Sequence, residues 1–159
     1  MTDTSKPTVM LVDDEEMVAT AIRCFLELET PWRVLAFDSP LRALEAFEET
    51  RVDVVVADFM MPQMDGVAFL KRVRELRPHS TRILLTGYAD IDNAIRAINE
   101  CGLYYYLQKP WENEHLKLII RNGMERSSLV NELDVRISAL EHANHELLDI
   151  RRRLIQAFL

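Results

Sequence analysis

The sequence predicts an α/β protein, a doubly wound five-stranded parallel sheet whose last helix extends into a coiled coil. Three observations carry this. Five short apolar runs alternate with five amphipathic stretches of helical length. The runs are apolar throughout rather than at every second residue, as strands covered on both faces require. From Met124 to Leu159 no proline or glycine interrupts a pattern of alternating three- and four-residue steps. An antiparallel sheet would need tight hairpins, and here a helix-length segment follows each run.

The first run, beginning at Thr8, is Val9-Met10-Leu11-Val12, and Val18, Ala21, Ile22, Phe25 and Leu26 follow at helical spacing. Arg33 to Phe37 forms the second strand. Its helix opens with Ser39 as N-cap and Pro40 at the first helical position, where a missing N–H costs nothing, and continues through Leu41, Leu44 and Phe47. Val54-Val55-Val56-Ala57 precedes a helix marked by Val67, Leu70 and Val73. Arg82 to Thr86 precedes one marked by Ile91, Ala94, Ile95 and Ile98, and Leu103 to Leu107 leads into a helix starting near Trp111. The predicted organisation is a flexible N-terminus over 1–7, an α/β domain over 8–125 and a helix over 126–159.

A chain of 159 residues suffices for one well-buried core and an appendage. No apolar run approaches the roughly 18–20 residues that cross a bilayer, and residues 1–7 lack the pattern of a leader, so the expectation is a cytoplasmic protein with no membrane association. Cys24 and Cys101 both fall in predicted helices among apolar neighbours and read as free, buried thiols. The net charge of −7 disfavours direct nucleic-acid binding, which needs a basic face. That charge lies in residues 1–125, with 21 acidic against 14 basic residues, whereas residues 126–159 hold five of each.

In doubly wound sheets ligands sit beyond the carboxyl ends of the strands. Here strand one ends in Asp13-Asp14-Glu15-Glu16, strand three in Asp58, strand four in Thr86-Gly87 and strand five in Lys109-Pro110. Alone, the acidic run reads first as a solvated helix start. Converging with Asp58 at one sheet edge, carboxylates repel unless a hard cation sits among them, and an oxygen-only donor set suits Mg²⁺.

Four stretches resemble the response-regulator receiver family over about residues 8–125. They are Leu11-Val12-Asp13-Asp14-Glu15, Val55 to Gly66 around Asp58, Leu84-Leu85-Thr86-Gly87-Tyr88, and Tyr106-Leu107-Gln108-Lys109-Pro110. The resemblance implies a flavodoxin-like fold and a two-component phosphorelay in which a sensor histidine kinase or phosphotransfer protein phosphorylates Asp58. It implies that Asp13, Asp14, Asp58 and the main-chain carbonyl of Met60 hold Mg²⁺, and that Lys109, in a cis Lys109–Pro110 linkage, reaches the phosphoryl group. It also implies that Thr86 donates its hydroxyl to that group and that Tyr106 then turns into the space Thr86 leaves. Tyr106 reads otherwise as one of three tyrosines in a strand. Pro62 and Gly66 read as turn residues. Met60 and Tyr88, both bulky, stand at rim positions that vary in the family and are expected to shade the acyl phosphate from water. An aspartate-nucleophile phosphatase, the enzymatic alternative, carries a second aspartate two residues after the first; Met60 stands there, so a switch catalysing only its own phosphorylation and dephosphorylation is expected.

Past the receiver, Val130, Leu133, Ile137, Leu140, Asn144, Leu147, Arg151, Leu154 and Phe158 follow heptad a and d positions. The seam predicts a parallel homodimer. A polar Asn144 at an a position favours aligned pairing, and Arg136 faces Glu141 of a second copy. Folding of the helix back onto its own receiver is the alternative. Leu148, Ile150 and Ile155 widen the stripe, pointing to higher assembly or to a further element of a longer regulator. His145-Glu146-Leu147 lacks the continuation of a kinase phosphoacceptor box, and Arg151-Arg152-Arg153 reads as a solvated helix face. A tryptophan after the lysine-proline pair, with a long helix following, is similar to receivers that lead cyclic-diguanylate enzymes, ATPase-type transcription activators or hybrid kinases.

Overall fold

In the computed structural model, which describes residues 6–87 and 91–159, β1 (Thr8–Val12), β2 (Arg33–Phe37), β3 (Val54–Asp58), β4 (Thr81–Thr86) and β5 (Tyr105–Gln108) form one parallel sheet. Its order is β2-β1-β3-β4-β5, with Val9 opposite both Val34 and Val54. The helices are α1 (Glu16–Glu29), α2 (Pro40–Glu49), α3 (Gly66–Leu76), α4 (Ile91–Cys101) and α5 (Asn113–Phe158). The doubly wound parallel sheet expected from the sequence is present.

Successive side chains of a strand point to opposite faces, so this sheet needs two cores. Met10, Val12, Val55, Ala57 and Leu84 pack with Phe47 of α2, Phe69 and Leu70 of α3, and Ala97 of α4. Val9, Leu11, Val54, Val56, Ile83 and Leu85 pack with Ile22 and Leu26 of α1 and with Leu116, Ile119 and Ile120 of α5. Each fully buried large side chain, Phe47 and Phe69 among them, contributes roughly 1.5–3 kcal/mol of transfer free energy. β1, β3 and β4 are buried along their length, whereas the edge strands β2 and β5 are only partly covered.

Local chemistry sets the boundaries. Ser39 caps α2 by accepting from Arg42 N at 3.5 Å, with Pro40 next, as predicted. Asp65 caps α3 by accepting from Ala68 N at 2.8 Å. β5 begins two residues later than expected, because Tyr104 N donates to Arg82 O at 2.9 Å before the ladder with β4 starts at Tyr105. α5 likewise begins two residues past Trp111. Cys101 is buried, but Cys24 is exposed, contrary to expectation: the inward face of α1 is set by Ala19, Ile22 and Leu26, and residue 24 lies on the opposite side.

One buried charge was not anticipated. Arg82 is 4% exposed, and its guanidinium donates to the carbonyls of Pro78, Ser80 and Gly102, with Nη1 to Ser80 O at 2.8 Å. Burial, with Arg126 and Arg74 nearby, lowers its pKa to about 10. The start of β4 is fastened to α5: Thr81 Oγ1 donates to Gly123 O at 2.8 Å, and Ser127 Oγ to His79 O at 3.1 Å.

The chain divides into two compact units after Ser127. The second, Ser128–Leu159, is helical to Phe158, and every residue from Glu132 onward is exposed. Along it, Arg136 pairs with Glu132 one turn away at 2.7 Å, and His142 Nε2 lies 3.3 Å from Glu146 Oε1. No helix among the described residues is long and apolar enough to cross a membrane.

Candidate functional site

β1, β3, β4 and β5 each end at the same edge, and the backbone there is cross-tied. Phe59 N donates to Leu85 O at 2.9 Å, Lys109 N to Thr86 O at 2.8 Å, and Gly66 N to Phe59 O at 2.9 Å. These bonds fix how far each strand end projects and so where the first side chain after it lies. Gly66 has a steric role that its turn reading did not disclose. A β-carbon there would stand 2.3 Å from the main-chain oxygen of Asp58, so only glycine lets α3 start this close to β3. Between them Gln63 takes a φ of +72°, and Met64 N donates to Pro62 O at 2.8 Å.

Carboxylate oxygens of Asp13, Asp14 and Asp58 all lie within 4.8 Å of one another, with Asp13 and Asp58 buried and Asp14 exposed. Lys109 Nζ is 3.0 Å from Asp58 Oδ1. Asp13 Oδ1 accepts from Glu15 N at 2.9 Å, but its Oδ2 is buried with no hydrogen-bond partner. Thr86 is fully buried, and its Oγ1 likewise has none. Unsatisfied buried oxygens beside clustered carboxylates are a costly arrangement that an added cation relieves, so the donor set fits a hard divalent ion. Met60, 66% exposed, follows β3 at the rim. The Lys109–Pro110 bond is cis, as the resemblance implies.

The electrostatics agree with this geometry. Burial, with the neighbouring charges of Asp58 and Asp14, raises the Asp13 pKa from 3.8 to about 6, although the Glu15 N–H works against it. Burial also raises Asp58, outweighing the lowering by Lys109. The Lys109 ammonium is opposed by burial, yet its bond to Asp58 and the charges of Asp58 and Asp13 together leave it raised.

A pH dependence follows for metal-free protein. The folded state keeps the Asp13 proton up to about pH 6, whereas the unfolded chain releases it near 3.8. The folded form therefore binds more protons across that interval, so stability is greatest below it and is lost as pH rises through about 6. The loss should be on the order of 1–2 kcal/mol after solvent screening. Thermal unfolding from pH 4 to 7.5 measures it, and Asp13→Asn should flatten most of the slope.

One expected residue, Tyr106, stands apart from this cluster. Tyr106 is 41% exposed and stacks on Tyr105 at 6.4 Å between ring centroids. Tyr88 lies outside the described residues, and with it half of the expected shading of the pocket.

Residues 9–121 match the model of the response regulator receiver domain. The hydrogenase transcriptional regulatory protein HoxA of Cupriavidus necator is 38% identical over 126 residues, which are 79% of this chain and 26% of that protein. The crystal structure of a response regulator receiver domain protein from Clostridium thermocellum superposes with a TM-score of 0.73 at 33% identity, covering 78% of this chain and 98% of that one. A protein from Neptuniibacter caesariensis superposes at 0.76 with 36% identity, covering 79% and 93%. The chain spans about a quarter of the length of most of the curated relatives it matches, and 48% of one. With the parallel sheet, the strand-end acids and the family match over most of its length in agreement, the chain belongs to the response regulator receiver domain family.

Proposed function

We propose that this chain is a phosphorylation switch of a two-component phosphorelay, taking a phosphoryl group on Asp58 from a histidine kinase or phosphotransfer protein. The observation that carries it is the Lys109–Asp58 contact at 3.0 Å beside two further carboxylates, in a pocket whose acceptor is 3% exposed. An Asp58 oxygen bonds to phosphorus as the bond from phosphorus to the donor's imidazole nitrogen breaks, and the electron pair leaves with the imidazole. The transferred group develops charge on its three outer oxygens, so catalysis is mainly positioning and charge neutralisation. Lys109 supplies one fixed positive charge. Thr86 supplies a buried hydroxyl free to donate to a phosphoryl oxygen, and Tyr106, exposed beside β4, turns inward as Thr86 is drawn to the phosphate. Asp13, Asp14, Asp58 and the carbonyl of Met60 would hold Mg²⁺, which neutralises phosphoryl charge when bound. Met60 in place of a second aspartate argues against steady phosphatase turnover.

The switch passes into α5, through which two chains pair in parallel along the exposed apolar side chains that include Leu133, Ile137, Leu140, Leu147 and Leu154. The receiver would be the N-terminal part of a longer cytoplasmic regulator, as in the relatives of which it matches a quarter. The test is labelling by a small phosphodonor with Mg²⁺ present. One acid-stable, hydroxylamine-labile phosphoryl group per chain is expected, and EDTA should stop the reaction; labelling that continues unchanged in EDTA would remove the metal from the scheme.

A further inference from the structure

The second unit carries a row of four leucines seven residues apart, Leu133, Leu140, Leu147 and Leu154, each more than half exposed. Two rows flank it. One is Val130, Ile137, Asn144, Arg151 and Phe158; the other is Leu129, Arg136, Ala143, Ile150 and Ala157. The leucines with either row make a seam of alternating three- and four-residue steps. The two seams differ by about 50° around the helix, half the angle between successive residues at seven per two turns.

Neither seam is acceptable over its full length. In a parallel pair each seam residue meets its own copy, so the first register buries Arg151 against Arg151 and the second buries Arg136 against Arg136. Two like guanidiniums brought together in a seam repel and lose their hydration, a cost that the Arg136–Glu132 pair at 2.7 Å lessens but does not remove. We infer that two copies of this chain pair in parallel through a seam that changes rows at Leu140. It uses Val130, Leu133 and Ile137 before that residue, and Ala143, Leu147, Ile150, Leu154 and Ala157 after it.

Every position of this seam is apolar and both arginines lie outside it. Asn144 leaves the core as well. The extra three-residue step from Ile137 to Leu140 to Ala143 overwinds the pair locally, and Ala143 is small enough for the closer approach this brings. Past the change of row, Glu146 and Arg151 take flanking g and e positions five residues apart, the spacing at which opposite charges meet across a parallel pair. In the unbroken first register Arg151 would be in the core and that pairing lost.

This inference rests on the parallel dimer proposed above, and cysteine cross-linking of the full chain separates the two. In a Cys24→Ser background, with buried Cys101 retained, single cysteines replace Arg136, Ile137, Ala143, Asn144, Ile150 and Arg151, with Leu147→Cys as a position common to both registers. A disulfide needs Cα atoms within about 7 Å, so only seam positions oxidise to covalent dimers. Ile137→Cys, Ala143→Cys, Ile150→Cys and Leu147→Cys should cross-link, and Arg136→Cys, Asn144→Cys and Arg151→Cys should not. Cross-linking at 137, 144 and 151, or at 136, 143 and 150, would overturn the change of row in favour of one continuous register. Cross-linking at both members of each pair would overturn it in favour of a wider bundle. A dimer by sedimentation that cross-links nowhere along the helix pairs antiparallel or through another surface, and overturns both the inference and the parallel pairing of the helix. A monomer by sedimentation overturns the dimer and the inference with it.

Discussion

Asp58→Asn is expected to abolish labelling by a small phosphodonor entirely while leaving the fold intact. The amide is nearly isosteric with the carboxylate but has no anionic oxygen to attack phosphorus. The fold survives because Asp58 is a cost to the metal-free protein as much as a support: it lies with Asp13 and Asp14 in a cluster whose oxygens are within 4.8 Å. Removing its charge loses the Lys109 ion pair but relieves the repulsion that helps raise Asp13. The unfolding midpoint at pH 7.5 should therefore hold or rise. Mass spectrometry after donor treatment, alongside thermal unfolding, reads both effects; a mutant labelled at the wild-type level would show that another residue is the acceptor.

Removing residues 128–159 is expected to convert a dimer into a monomer that is still phosphorylated. The helix beyond Ser127 is a separate compact unit whose large apolar side chains from Leu133 onward are exposed. Burying each of them in a pair gains roughly 1.5–3 kcal/mol per fully covered side chain before association entropy is subtracted, enough for dimerisation at micromolar concentration. None of the candidate chemistry is lost, because the strand ends that carry it all precede Trp111. Sedimentation of both proteins decides the matter. A monomeric full chain, or a shortened one that stays equally dimeric, would show that this helix is not the dimerising element.

The sheet was legible because two-sided burial leaves a plain trace. Val54 to Ala57 reads as one uninterrupted apolar run, and only a strand covered on both faces tolerates that. The candidate site was legible because Asp13, Asp58 and Thr86 each come directly after such a run, and Lys109 follows the edge strand β5 at Gln108, so knowing the strands places the residues. What could not be read depends on backbone partners. Nothing in the composition of β4 shows that Arg82 would be buried, since the groups that satisfy it are three main-chain carbonyls from two loops. Gly66 reads as an ordinary turn glycine until the Asp58 oxygen is seen against it. The exposure of Cys24 was legible all the same: the stripe Val18, Ala21, Ile22, Phe25 and Leu26 leaves it out, and apolar neighbours along the chain do not bury a residue on the opposite side of a helix.

Burial of the sheet on both faces has an evolutionary consequence. Met10 and Val12 face one core while Val9 and Leu11 face the other, so losing or gaining one residue within β1 would exchange the two sets and carry Asp13 out of the pocket in the same event. Natural selection therefore sees such a change as two lesions at once, one of stability and one of chemistry. Length variation among descendants of this sequence is therefore expected at the opposite edge of the sheet, where the connections around residues 50–53, 77–80 and 102–104 enter the strands and no candidate chemistry resides. The spacing from each strand to its candidate residue is then expected to change more slowly than the identity of the apolar residues that enforce it.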